Sequence, residues 1–416
     1  MEEKKDPNTQ KPVKKAANSK IKVSIVALLI VSTFIVMFSF VYFKYLLPVL
    51  NFIYNQAEDG PGGSNVTIGR EDLLNENDPY YKRPVATPEN TADPNVTPTP
   101  TADPNVTPDP NETPSPTPDP NETPTQEPED FTIDEAEFVH ASEVVFEKGT
   151  RNVLVLGFDE KGTNSDSIFI ININETTKHI KIISVPRDTY VPHSEKTKQA
   201  LKDRNLYYSP GMHKLNAVVY IGKYVIKYVD GIFGNSGIDY MCAILSSLFP
   251  GCEIDDYVYV NFYGFMDLID VVGGVYVTSP ENMYTETGEL KIKEGLNKLN
   301  ARDTLFYVRY RKRLDSQGHD TYTGSDNWRK INQANFIAEI MPQIITKENM
   351  NLDKIVDTLE VLKKSVYHSF NTIPKINYYI NIGRDFANKQ YTVSSYVIKG
   401  YTIDPFGDKA GYSQLD

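Results

Sequence analysis

The 416-residue sequence predicts an α/β domain, a sheet with helices packed on its faces, which is carried on a membrane anchor and a long stalk. Strand-like apolar runs alternate with helical patterns through much of the chain after residue 150. Near the N-terminus, 21 consecutive residues carry no charge, and a proline-rich stretch separates them from the α/β region. Residues 138–416 are therefore expected to form one domain with a sizeable core.

The uncharged stretch, residues 23–43, is long enough to span the hydrocarbon core of a bilayer. The 22 residues before it hold seven lysines against three acidic residues, which places residues 1–22 in the cytoplasm. A cleaved signal peptide is the alternative, but the stretch is long for one and no small-x-small cleavage site follows it. We expect an uncleaved single-pass anchor in the cell membrane, with the remaining chain outside the cytoplasm.

Residues 44–137 are expected to form a disordered extracytoplasmic stalk. Between residues 84 and 130 lie 14 of the 27 prolines and 10 acidic residues, with no lysine or arginine. Such a composition cannot bury apolar surface, and its charges repel one another. At about 3.1 Å per residue, these 47 residues would extend at most about 150 Å. The stretch also supplies much of the net charge of −12, which therefore says little about partners of the domain.

The α/β region shows local patterns for each element. Strands are predicted over residues 152–156, 167–174, 179–185 and 256–261, and helices over residues 217–229, 240–249, 262–270, 300–311, 325–345 and 352–367. A Gly273-Gly274 turn leads into a further short strand, and strands are possible between residues 391 and 403. Cys242 and Cys252, the only cysteines, are compatible with a disulfide or with two separate thiols. With no histidine near them they do not indicate a zinc site.

Two aspartates border the first pair of predicted strands. Asp159 follows the strand end VLVLGFD, and Asp166 lies in the run NSDS before the next strand. If the two strands are antiparallel, both carboxylates lie at the same end of the sheet. Such a pair suits Mg²⁺, which takes few carboxylates and keeps waters or phosphate oxygens. The alternative, that Asp166 only caps a turn, is equally compatible with the spacing.

Arginines are the second charged group of interest. In SVPRDTY, Pro186 ends a strand and is followed by Arg187 and Asp188. Further along the chain come Arg309 and Arg311 in YVRYRKR and Arg329 in SDNWRKINQ. Arginines opposite two aspartates indicate a pyrophosphate site, because guanidinium binds phosphate in a bidentate manner. The alternative is a solvated basic helix face. Nucleic acid is a poor candidate partner for a domain outside the cell without a basic excess.

Seven motifs, in this order, resemble the LytR-CpsA-Psr family over about residues 151–345. They are VLVLGFD, NSDS, SVPRDTY, HKLNA, YVNFYGFMDLIDVVGGVYV, GLNKLNARDTLFYVRYR and SDNWRKINQ. The resemblance implies an α/β/α sandwich with a mixed central sheet and a hydrophobic pocket for a polyprenyl tail. It also implies an enzyme that transfers a glycopolymer, such as wall teichoic acid or capsule, from a polyprenyl-pyrophosphate carrier to peptidoglycan, forming a phosphodiester.

Carried over by position, the resemblance assigns roles to individual residues. Asp159 and Asp166 would hold Mg²⁺, with Mn²⁺ as an alternative metal. The lipid pyrophosphate would contact Arg187, Arg309, Arg311, Arg329 and Gln333. Asp188 would orient Arg187, and Lys214 and Asn216 would have supporting roles.

The sequence departs from the family pattern at three positions. Asn164 and Asn332 stand where the family commonly has arginines, and Trp328 replaces a glycine. Two missing cations would weaken pyrophosphate binding, shift substrate choice or be replaced by Lys312 or Arg313. Two other functions therefore remain open: a non-catalytic or regulatory wall protein, and a pyrophosphatase acting on polyprenyl diphosphates.

Overall fold

A computed structural model describes residues 44–45, 66–79, 136–159, 164–311, 317, 319, 327–362, 366–407 and 411–415. The predicted cytoplasmic tail and membrane span, and the proline-rich residues 84–130, lie outside these ranges, as do Lys312 and Arg313. None of the helices in the described ranges has the length and apolarity needed to cross a membrane.

The strands and helices alternate along the domain as the sequence predicts. The strands are β1 (Thr67–Ile68), β2 (Glu137–Val139), β3 (Arg151–Phe158), β4 (Ser165–Asn174), β5 (His179–Ser184), β6 (Lys227–Tyr228), β7 (Asp256–Val260), β8 (Val275–Ser279), β9 (Met283–Tyr284), β10 (Leu290–Ile292), β11 (Gly295–Leu299), β12 (Val366–His368), β13 (Thr392–Ile398), β14 (Gly400–Ile403) and β15 (Tyr412–Leu415). The helices are α1 (Glu195–Asp203), α2 (Val218–Tyr220), α3 (Ser236–Leu248), α4 (Phe262–Val271), α5 (Ala301–Arg309), α6 (Asn327–Ile344), α7 (Leu352–Leu362) and α8 (Ile373–Ala387).

The central sheet has seven strands in the order β12-β7-β3-β4-β5-β13-β2. It is mixed: β4 runs antiparallel to both β3 and β5, whereas β7 is parallel to β3 and β13 is parallel to β5. The carboxyl ends of β3, β5, β7 and β13 therefore meet at one edge, together with the start of β4. This arrangement confirms the predicted α/β class and the mixed sheet.

Helices cover both faces of the sheet. Because alternate residues of a strand point to opposite sides, each strand contributes side chains to both cores. On one face, Leu156 and Ile170 belong to a core that includes residues of α1 and α3. On the other, Phe169 and Ile182 pack against α6 through Ala338, and the end of the sheet packs against α8. Helices on both faces make the layered α/β/α arrangement.

Two predicted helices differ from the structure. Residues 217–229 form a 3₁₀ turn, the short α2, a π turn at Ile221–Val225 and then β6. Gly222 lies so close to α3 that a Cβ atom there would be 2.7 Å from the Ser236 carbonyl oxygen. The close contact with α3 therefore leaves no space for a side chain at this position. In the second case the helix ends at Leu362, and β12 follows as an edge strand beside β7. The β-branched Val366 and the stacking of Tyr367 on Tyr259 favour the strand.

The stalk prediction needs correction for residues 66–79. This segment lies inside the predicted stalk, yet its strand β1 pairs with β6, and Ile68 and Leu73 are buried in the main core. The two cysteines are free thiols. Burial raises the pKa of both Cys242 and Cys252, so they stay protonated and unreactive.

Candidate active site

The predicted charged residues gather at the carboxyl edge of the sheet. Phe158 at the end of β3 pairs with Ser165 at the start of β4, and the Asp159 amide donates to the Asn164 carbonyl (3.1 Å), so Asp159 and Asp166 both lie at this edge. The Val185 amide donates to the Ile168 carbonyl (2.9 Å), which brings the end of β5 to the same edge. The antiparallel arrangement that the sequence left open is therefore confirmed.

Arg187 lies at the centre of this edge. Its Nη1 donates a hydrogen bond to Asp166 Oδ1, and its Nε lies 3.7 Å from Asp188 Oδ2. Asp188 Oδ1 in turn accepts from Lys214 Nζ at 3.0 Å. Only 17% of the Arg187 side chain is exposed, against 32% of Asp166, so the carboxylate is more accessible to solvent than the guanidinium that it holds. Asp188 therefore has the geometry of the orienting residue that the sequence predicts.

The loop that carries Arg187 is fixed by backbone hydrogen bonds on two sides. A turn forms where the Thr189 amide and hydroxyl both donate to the Pro186 carbonyl (3.0 and 2.6 Å). The Asn216 amide donates to the Arg187 carbonyl (2.9 Å), so the HKLNA motif contacts the backbone of this loop. On the other side, the Ser413 amide donates to the Asp188 carbonyl (2.8 Å). Sequence reasoning missed this contribution of β15, because no local pattern links residues so far apart.

Asp159 and Asp166 are the two carboxylates that the sequence predicts to hold a metal ion. Asp159 Oδ2 accepts from Asn164 Nδ2 at 3.1 Å, so Asn164 orients this carboxylate. Within the described residues there is no group of three or more acidic, histidine or cysteine side chains arranged as a metal site. Mg²⁺ needs only one or two carboxylates when phosphate oxygens and waters complete its octahedron. Both residues offer carboxylate oxygens, the ligand type that Mg²⁺ accepts, so holding Mg²⁺ stays the predicted role of this pair.

Helix α6 contacts the same edge of the sheet through Gln333. Its Oε1 accepts from Ser167 of β4 (3.3 Å), and its Nε2 donates to the Val308 carbonyl at the end of α5 (2.8 Å). Arg329, one turn earlier on the same face of α6, is only 5% exposed. Arg309, next to Val308, is exposed and its guanidinium lies 4.4 Å from the centre of the Phe262 ring.

Arg311 differs from the other predicted arginines. It is exposed, two residues beyond the end of α5. No hydrogen bond or ion pair among the described residues joins it to the Arg187 cluster. The structure thus connects Arg187, Asp166, Asp188 and Lys214 directly. Asp159 contacts Asn164 at the same edge, and Gln333 reaches this edge through Ser167.

Several buried polar atoms at this edge make no hydrogen bond within the described part of the chain. They are Ser165 Oγ, Arg187 Nε, Asn216 Oδ1 and Asn332 Nδ2. A buried polar group without a partner costs roughly 1–3 kcal/mol, so such groups usually face a ligand or ordered water. Ser165 was not predicted as a site residue, although its place beside Asp166 in the NSDS run was a usable signal.

A model of the LytR_cpsA_psr family matches residues 121–409. The chain belongs to the LytR-CpsA-Psr family. Among curated relatives, a protein of Oceanobacillus iheyensis named polyisoprenyl-teichoic acid–peptidoglycan teichoic acid transferase TagU is 30% identical over 210 residues. The alignment covers 50% of this chain and 57% of that relative. A TagU of Bacillus cereus is 28% identical over 164 residues, 39% of this chain and 44% of the relative. The chain thus spans about half the length of these curated relatives.

Two solved structures are similar to this chain. TagV of B. subtilis has a TM-score of 0.47 and 23% identity, covering 65% of this chain and 92% of TagV. A structure of TagT bound to LI-WTA has a TM-score of 0.45 and 19% identity, covering 68% of this chain and 92% of TagT.

Proposed function

We propose that this protein transfers a glycopolymer from a polyprenyl-pyrophosphate carrier to peptidoglycan, forming a phosphodiester. The observation that carries the proposal is Arg187, a largely buried guanidinium held against Asp166 at a sheet edge where neighbouring buried polar atoms have no partner. Membership of the LytR-CpsA-Psr family and the names of the TagU relatives support the same reaction class.

In the proposed reaction, a sugar hydroxyl of peptidoglycan attacks the phosphorus that bears the glycopolymer. The bond from that phosphorus to the bridging oxygen breaks, and polyprenyl phosphate leaves with the electron pair. The hydroxyl proton passes to a carboxylate at the sheet edge, Asp159 or Asp166. Because phosphoryl transfer requires mainly positioning and charge neutralisation, cations are the main need of such a site.

In this proposal, the cations that bind the pyrophosphate come from the loop after β5 and from the helices α5 and α6. Arg187 and Arg329 would contact the pyrophosphate, with the exposed Arg309 and Arg311 at the entrance. Gln333 would position α6 against β4. Asp159 and Asp166 would hold Mg²⁺ or Mn²⁺, which neutralises charge on phosphate oxygens when bound.

The polyprenyl tail requires an apolar surface near the membrane. A groove of about 350 Å³ lies between α4, α6, α7 and α8, and its apolar lining includes Val272, Ile345, Met350 and Leu359. It meets α6 at Ile344, the last residue of that helix, whereas Arg329 lies near the start of the same helix. We propose that this groove receives the tail, and that residues 23–43 anchor the protein in the cell membrane with the domain outside.

The test is transfer by the purified full-length chain in liposomes, from a synthetic polyprenyl-pyrophosphate glycan to peptidoglycan fragments. Arg187→Ala should lower the transfer rate about 10³-fold, the scale of losing a cation that stabilises the transition state. Arg302→Ala, an exposed residue on α5, is the matched control and should keep the wild-type rate. Chelation of divalent metal should also stop transfer.

Three outcomes would contradict this proposal. Wild-type transfer by Arg187→Ala would remove Arg187 from the site. Phosphate release without an acceptor would identify a pyrophosphatase. Binding of the lipid pyrophosphate with neither release nor transfer would identify the non-catalytic alternative.

A further inference from the structure

Residues 66–79, here called the strap, are joined to the domain by main-chain pairing. Strand β1 lies parallel to β6, and the Lys227 amide donates to the Val66 carbonyl at 2.8 Å. Further on, the Asn75 amide donates to the Pro192 carbonyl at 2.7 Å. Between these contacts Ile68 and Leu73 are 0% and 4% exposed. Two fully buried aliphatic side chains contribute about 3–6 kcal/mol by removal from water, which favours a stably docked segment.

Side-chain contacts add to the docking and reach the loop of the candidate site. Asp78 Oδ2 accepts from the Tyr190 hydroxyl at 2.9 Å, two residues after Asp188. Burial, together with the charge of Asp78, raises the pKa of Tyr190, so its hydroxyl remains a donor. Lys196 pairs with Asp72 on the exposed side. The strap itself lies N-terminal to residues 121–409, the part of the chain that the family model matches.

The chain after the proline-rich segment is fixed to the same domain. The Ala136 amide donates to Asn335 Oδ1 of α6 at 2.7 Å. Phe138 of β2 pairs with Val397 of β13 at the edge of the central sheet. The described residues on both sides of positions 80–135 therefore contact the same domain.

We infer that the proline-rich segment is not the spacer between the membrane and the site, and that residues 44–65 alone set this distance. The inference rests on the membrane anchor of the proposed function. From Phe43 to Val66 the chain reaches at most about 80 Å, at 3.3–3.6 Å per residue. A spacer that included residues 84–130 would add up to about 150 Å. Lys44 Nζ and the Tyr45 hydroxyl both contact Asp353 Oδ1, at 2.9 and 2.8 Å, so the chain next to the membrane span lies against the domain and the spacing is far below that limit.

Cleavage within the proline-rich segment tests this inference. A specific protease site is inserted between residues 104 and 105 of the full-length chain, which carries an N-terminal affinity tag, and the cut protein is captured in detergent at micromolar concentration. If the strap holds the domain, the fragment that contains residues 136–416 is captured with the tag after complete cleavage. If the fragment is released, the proline-rich segment is the only connection and the inference is wrong.

Matched strap variants sharpen the result. Ile68→Asp combined with Leu73→Asp should reduce co-capture of the cut domain at least about tenfold, since burying two unpaired carboxylates costs more than 1.4 kcal/mol. Glu71→Ala, at an exposed strap position, should leave co-capture unchanged. Equal retention of the double variant would contradict the role of the strap. Because co-capture needs no turnover, Arg187→Ala should be retained like the wild type, which separates this inference from the proposed reaction.

Discussion

Two charged clusters lie at opposite edges of the central sheet, and they differ in how completely their hydrogen-bonding capacity is used. At the amino end of β7, Asp256 is 0% exposed and accepts four hydrogen bonds. Its Oδ1 accepts from Ser369 (2.8 Å) and Lys375 (2.6 Å), and its Oδ2 accepts from Arg151 (2.7 Å) and Tyr379 (2.7 Å). Burial and the Asp256 charge raise the pKa of Tyr379, so this hydroxyl stays protonated.

The Arg187 cluster at the other edge is not saturated in this way. Asp166 is about one-third exposed, and Arg187 Nε has no hydrogen bond within the described residues. A carboxylate offers about four lone-pair positions, and only the Asp256 cluster fills all of them from the protein. A saturated buried network holds elements together, whereas an open one retains capacity for a ligand. The predictions below test this contrast.

The largest effect is expected for Asp256→Asn. The neutral amide would leave Arg151 and Lys375, each about one-third exposed, without the counter-charge of the buried Asp256. Breaking a buried pair costs about 3–5 kcal/mol, and the exposure of the cations places the expected loss near the lower end of that range. Chemical denaturation of the full-length chain in detergent, followed by circular dichroism, would measure the loss. Asp270→Asn, at an exposed position on α4, is the control and should change the free energy of unfolding by less than about 0.5 kcal/mol. A loss as small as that of the control would show that the Asp256 network contributes little to stability.

Asp166→Asn should lower transfer strongly and change the free energy of unfolding only slightly, the reverse of what is expected for Asp256→Asn. Removing this carboxylate takes away a partner of Arg187 and a proposed metal ligand, so transfer should fall about 10²–10³-fold. Stability should change by no more than about 1 kcal/mol, because the pair is partly exposed to water. The same transfer and denaturation assays measure both quantities. A large stability loss with normal transfer would reverse the assignment of the two clusters.

The buried side chain of His193 is expected to make the stability of the protein depend on pH. His193 is fully buried, its Nε2 lies 3.0 Å from the Met212 carbonyl and its Nδ1 lies 3.2 Å from the Tyr240 hydroxyl. Burial, with a smaller effect of His213, lowers the pKa of His193 to about 3. The unfolded chain binds a proton below pH about 6.5 while the folded protein does not. Stability should therefore be fully present above that pH and fall by up to about 1.4 kcal/mol per pH unit toward pH 3.

Denaturation midpoints measured between pH 7 and pH 4 test this expectation. Carboxylates also titrate near the lower end of the range, so the comparison is with His193→Gln, which keeps a polar amide in place of the ring. The variant should be less stable at pH 7 but should lose less stability on acidification between pH 6.5 and pH 5. Parallel curves for the two proteins would show that His193 does not control this dependence.

The sequence predicts well what depends on neighbouring residues. The alternating apolar residues of β4 and the proline after β5 place Asp166 and Arg187 correctly, because register and strand ends follow from local pattern. What it missed depends on distant partners. The strap pairs with residues 160 positions away, as in the bond from the Arg70 amide to Asp230. The donors to Asp256 come from 105 to 123 residues away.

Local composition also hid ordered elements in three segments. Residues 66–79 lie in a segment read as stalk, although Ile68 and Leu73 provide the apolar side chains for docking. Helix α8 was not predicted, despite the Thr372 cap and a proline in its first turn. The chain after Leu362 forms β12 because the open edge of β7 provides hydrogen-bonding partners that the local sequence does not reveal.

The smallest effect is expected for Asn164→Arg, which restores a cation that the family commonly has at this position. Asn164 is partly exposed and donates to Asp159 Oδ2, so an arginine there would begin beside the site and could reach a phosphate oxygen. We expect the Kd for a short-chain polyprenyl pyrophosphate, measured by calorimetry with Mg²⁺ present, to fall about five-fold, or about 1 kcal/mol. Asn164→Gln, which keeps a neutral amide, should bind like the wild type. Weaker binding by Asn164→Arg would mean that the new cation competes with the metal for Asp159, and that an asparagine here preserves the metal site at the expense of phosphate affinity.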